Sequence, residues 1–184
     1  MSTSPSSKVA GLLMASIVAW ALTTLFDIGP IILGAAGERI MGFENLTPMD
    51  PVQLRNIVTL YAFFGLPVAV VFVPLVGYPI WKRAERHGQT TLRNALWAGG
   101  LVGLILGFAL AAYIFIYGLQ TMANPNASFD SWTYGYQTMD DGMPTVLGWS
   151  FQLMDVVFTG VTGALAGLAA WTVAATMNRR RNPE

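Results

Sequence analysis

Four apolar stretches, at 9–34, 57–80, 94–119 and 146–177, occupy most of this 184-residue chain. A stretch of roughly 20 apolar residues crosses a bilayer as a helix, and inside the bilayer each backbone polar group must pair within its own segment. The expected fold is therefore an all-α integral membrane bundle of four transmembrane helices, a single membrane domain over 1–184. Loops 35–56 and 120–145 would lie on one side and loop 81–93 on the other. Composition agrees, because 54% hydrophobic against 11% charged residues is too apolar for a small soluble domain.

Charge sets the expected orientation. Lys8 precedes the first stretch, Lys82, Arg83, Arg86 and Arg93 follow the second, and Arg179, Arg180 and Arg181 follow the fourth. Eight of the ten basic residues thus fall on one side, leaving Arg39 and Arg55 on the other. The positive-inside rule makes the basic side cytoplasmic, with both termini there. Tyr78, Trp81, Trp97 and Trp171 mark the inner interface, and Tyr61, Tyr113, Tyr117 and Trp149 the outer one. Trp20 is the exception, since it falls near the bilayer centre. A signal peptide cut after Gly34-Ala35-Ala36 is the rival reading of the first stretch, but it requires an unusually long apolar run and a late cut.

Two carboxylates interrupt the apolar stretches where ionised groups are costly, Asp27 in the first and Asp155 in the fourth. At 1.5 Å per residue, Asp27 lies roughly 28 Å beyond Lys8 and Asp155 roughly 13 Å beyond Val146, which puts both in the outer half. Ser16, Trp20, Thr23 and Asp27 draw one stripe, with Thr24 beside it, and Gln152, Asp155, Thr159 and Thr162 draw another. Facing acids would share a proton or hold a cation between them. Hydrogen bonding between helices and an ion pair with Arg55 are the alternatives, and the stripes do not choose among them. Pro30 next to Asp27 predicts a kink that frees the Phe26 carbonyl, and Pro67 and Pro74 predict bends in the second stretch.

Gly99, Gly103, Gly107 and Ala111 recur every four residues on the third stretch, and Gly163 and Gly167 do so on the fourth, with Gly160 nearby. Such spacing lets helix backbones approach closely, within one chain or between two copies. These glycines fall in the inner half and the acids in the outer half, so the expectation is a tight inner bundle beneath a polar crevice that opens outward and includes Tyr113 and Tyr117. The outer loop NPNASFDSWTYGYQTMDDGM reads as turns rather than a long helix, carrying aromatics, acids and a formal glycosylation acceptor at Asn126-Ala127-Ser128. In the other outer loop Pro51 is expected to start a helix capped by Asp50. Residues 1–7 and 181–184 read as disordered.

The sequence also excludes much. It has no cysteine, which removes disulfides and thiolate chemistry, and its single histidine, His87, sits in the basic loop. Zero formal net charge gives no footprint for nucleic acid. No nucleotide, serine-hydrolase or zinc-protease motif is present, so neither a cofactor nor catalytic residues are expected, and the metal question stays open. The function expected first is a non-enzymatic subunit or assembly factor in the bacterial inner membrane, in contact with the lipid bilayer and with copies of itself or a larger membrane complex. The alternative is a small proton- or cation-coupled transporter or channel using Asp27 and Asp155, with Thr23, Thr24, Gln152, Thr159 and Arg55 around them.

Overall fold

A computed structural model describes residues 4–41, 51–124, 129–133 and 136–181. Helix α1 spans Pro5–Met41, α2 Pro51–Leu60, a π-helical segment Tyr61–Gly65, α3 Leu66–Arg86, α4 Leu92–Met122 and α5 Val146–Arg181. Helices hold about 86% of the described residues, and four are long and apolar enough to cross a membrane. The first three overrun the expected stretches at both ends, and the fourth starts at Val146 as expected and runs on to Arg181. Outside the helices lies a three-stranded sheet, β1 Ser131–Thr133, β2 Tyr136–Asp140 and β3 Met143–Pro144, where the sequence led to the expectation of turns rather than a long helix, with no strands.

The helix ends follow from local chemistry. The Ser7 amide donates to Ser4 Oγ at 3.3 Å, and Pro5 takes the first helical position, where its missing N–H costs nothing. Ser7 is fully buried, and its hydroxyl donates to Asn178 Oδ1 at 3.1 Å, so the chain from Ser4 onward is tied to the end of α5 rather than disordered. Gly88, at φ 67°, ends α3, with the Gln89 amide donating to the Ala84 carbonyl at 2.8 Å. Thr91 then caps α4 by accepting from the Asn94 amide. Pro51 starts α2 as expected. The Asp50 cap, Pro48, the 126–128 acceptor and residues 182–184 lie outside the described residues, as do the side chains of 30–41, although α1 continues through Pro30 as helix.

The outer loop folds because Asp141-Gly142 is a two-residue hairpin turn. Both residues have positive φ, 47° and 83°, which suits the right-handed twist of the paired strands. Met139 pairs with Pro144 and Asp140 with Met143 across it, and Ser131 pairs with Met139 on the other edge. Thr145 links this sheet to α5, with its hydroxyl accepting from the Gly148 amide at 3.1 Å and donating to the Gln137 carbonyl at 2.9 Å. The sheet also rests on α4, where a Cβ at Gly118 would overlap the Gly142 carbonyl oxygen.

In cross-section the helices lie in the order α4, α5, α1, α3, and α3 and α4 make at most marginal contact. Two faces of small residues make α5 the central helix. Toward α4, a Cβ on Gly99 would overlap the Gly163 carbonyl oxygen, one on Gly103 that of Thr159, and one on Gly167 that of Ala95, while one on Gly107 would lie 2.9 Å from the Val156 Cα. The glycines on α4 and α5 thus meet within one chain. Toward α1, Ala166 and Ala170 pack on Ala15, with Ala19, Val73 and Trp81 around them, and a Cβ on Gly11 would overlap the Ala170 carbonyl oxygen. Helix–helix association in lipid depends on such close packing, because apolar burial alone gains little there.

Candidate functional site

Much of the polar stripe on each helix is satisfied locally. Ser16 is fully buried, and its hydroxyl donates to the Leu12 carbonyl at 2.9 Å. Thr159 does the same to the Asp155 carbonyl at 2.6 Å. Both are bonds back to the preceding turn, which let a hydroxyl sit in an apolar helix without a partner on another helix. Left over on α1 are Thr23, Thr24 and Asp27, and on α5 Gln152, Asp155 and Thr162.

The structure gathers part of this remainder around a third helix. The Tyr61 hydroxyl donates to the Asp27 carboxylate, and Asp155 lies within electrostatic reach of Asp27. The acids thus lie near one another on neighbouring helices, α1 and α5. Thr24 Oγ1 and Gln152 Oε1, each three residues before an acid and so on its helix face, are buried and lack a hydrogen-bond partner among the described residues. Phe26 and Phe158 stack beside the cluster, centroids 3.7 Å apart and 19° from parallel. This pair spaces the helices with bulk, whereas alanines close them nearer the basic end.

Tyr61 owes its place to a backbone irregularity. Pro67 has no amide to offer the Phe63 carbonyl, and the wider π turns at Tyr61–Gly65 absorb the mismatch just before it. The Trp20 indole N–H donates to the Tyr61 carbonyl at 3.0 Å, which gives the misplaced tryptophan a role. Gly65 leaves room for that ring, since an added Cβ would come within 3.2 Å of it. Sequence reasoning placed Tyr61 among the interfacial aromatics and missed this arrangement. Trp20 at the bilayer centre and Pro67 one turn beyond Tyr61 were the available signals.

Other expected members stand elsewhere. Arg55 is exposed and pairs with neither acid, the ion pair found among the described residues being Lys8 with Glu85. Tyr113 and Tyr117 are exposed on α4. Asp27 and Asp155 are themselves exposed. The described residues hold no group of three or more His, Cys, Asp or Glu side chains that could grip a metal ion. What remains is an oxygen-rich cluster with the hydroxyls of Tyr61 and Thr24 and no cationic partner among the described residues.

A larger space lies elsewhere, and it differs from the expected polar crevice. A groove of about 470 Å³ runs between α3 and α4, floored by α1 and α5, from Arg179 at the basic end to Thr159 and Thr23, one turn from the acids. Its walls are mostly apolar. It opens because α3 leans on α1 while α4 is drawn to α5 by the glycines. Comparison with protein-family models, with curated proteins and with solved structures gave no match.

Proposed function

We propose that this chain is a small multi-pass membrane protein without enzymatic activity, in which Asp27, Tyr61 and Asp155 take up a proton or a monovalent cation. The reading places it in a bacterial inner membrane with the basic end and both termini in the cytoplasm. The observation that carries it is convergence: two acids from α1 and α5 lie within electrostatic reach of each other, while buried oxygens of Thr24 and Gln152 have no hydrogen-bond partner among the described residues. Acids at membrane depth that have no basic partner are default candidates for ion or proton handling. Two carboxylates fall short of the many oxygen ligands that a metal cation gathers, whereas a proton needs no such shell, which favours the proton of the two.

Purified protein in liposomes, read with a pH-sensitive dye and with a potassium or sodium gradient, tests this. Wild type should dissipate one of the gradients, and Asp27→Asn and Asp155→Asn should fall to the level of empty vesicles. Tyr61→Phe should slow flux about fivefold, the equivalent of one hydrogen bond of about 1 kcal/mol. A wild type no leakier than empty vesicles, or acid variants as active as wild type, would overturn the proposal. The second reading is the non-enzymatic subunit or assembly factor, favoured by the open flank between α3 and α4. Under it, protein extracted gently should run as a stoichiometric complex, and the acids should affect assembly alone.

A further inference from the structure

We propose that the groove between α3 and α4 is a binding site for an anionic phospholipid of the leaflet at the basic end. Its shape separates it from an ordinary lipid-facing helix surface. Two helices wall it, two more floor it, and Trp81 and Trp171 stand in its lining near the mouth. The Trp171 indole N–H donates to the Thr90 carbonyl at 3.1 Å, which fixes the short connection between α3 and α4 over that mouth.

Chemistry along the groove changes in the sense an amphiphile requires. Alanine and glycine of α5 and valine of α3 and α4 line its length, whereas Gln89, Asn94, Asn178 and Arg179 line its mouth. Lys82, Arg83, Arg93 and Arg180 are exposed at the same end, and none of them forms an ion pair among the described residues. A basic mouth between membrane helices matches a phosphate headgroup, and the apolar interior matches an acyl chain.

The groove's length and its basic mouth together suit a lipid. The groove runs roughly 30 Å along α5, from Arg179 to Thr159, long enough for an extended acyl chain. This inference does not depend on what the acids do.

The test is lipid retention, measured by native mass spectrometry on protein extracted in mild detergent and titrated with phosphatidylglycerol or phosphatidylcholine. Phosphatidylglycerol should bind with defined stoichiometry and survive at activation that strips phosphatidylcholine. Arg179→Gln should weaken phosphatidylglycerol about fivefold, and Arg179→Gln with Lys82→Gln further, with phosphatidylcholine unchanged. Both positions are exposed, so these variants should fold as wild type does. Val102→Trp should fill the groove and abolish retention, with size-exclusion profile and melting temperature confirming the fold. A photo-crosslinking residue at Val102 should capture lipid. Equal retention of the two lipids, no loss on removing the cations, or capture of a second copy of the chain or another protein at Val102 would each overturn the proposal.

Discussion

Helix α5 has two seams, and they are built differently. Against α4, glycines bring backbone onto backbone along three turns, and no room is left for a functional group. Against α1, small residues close the seam only at the basic half, through Gly11, Ala15, Ala166 and Ala170. Toward the other end the residues grow and Phe26 stacks on Phe158, with Asp27 and Asp155 exposed next to that stretch. Side-chain volume at the seam thus decides where a bundle is sealed and where chemistry fits.

That contrast breaks most sharply at Gly103. Gly103→Leu should cost about 3 kcal/mol or more, because the added side chain meets the Thr159 carbonyl and neither backbone can retreat without opening the whole seam. Loss of monodisperse protein in detergent would show this, and an unchanged melting temperature would mean that the seam is not close-packed. Gly11→Val, which meets the Ala170 carbonyl on the other seam, should cost about 2 kcal/mol, less because that seam is closed over fewer turns. Equal losses for the two variants would erase the distinction between the seams.

Smaller effects sharpen it. Gly142→Ala should cost about 1 kcal/mol, since the position has φ 83° and the new methyl meets Thr121, and the loss should appear as faster amide exchange in 136–144 while the helices stay protected. Trp20→Phe keeps an aromatic side chain but removes the donor to the Tyr61 carbonyl, for roughly 0.6 kcal/mol, a typical interhelical bond in a membrane. Its signature should be a loss of flux larger than the loss of stability, because the bond holds Tyr61 in place. A variant that transports as well as wild type would detach the π segment from the site.

Much of the architecture was legible because membrane helices announce themselves by length and hydropathy. The glycines at 99, 103 and 107 were visible as a spacing, and Asp141-Gly142 was a hairpin signal read only as a turn. The alanine face at 166, 170 and 174 was equally periodic, yet alanine is so common in apolar helices that its spacing did not stand out. Tyr61 was not legible, because a π turn changes which residues share a helix face and a 3.6-residue count passes over it. The crevice was misplaced for a related reason: depth along a helix can be counted, but the splay between α3 and α4 follows from which neighbour each one grips.

By itself the sequence determined four helices long and apolar enough to span a membrane, the clustering of cations at one end and the positions of two acids along those helices, since each depends on distance along the chain. Only the tertiary structure decided that Asp27 and Asp155 come within electrostatic reach of each other, that Tyr61 rather than Arg55 bonds Asp27, and that α3 stands apart from α4. Those are questions of rotation about helix axes and of contact between segments distant in sequence. They are settled by which side chains are small enough to let two backbones meet.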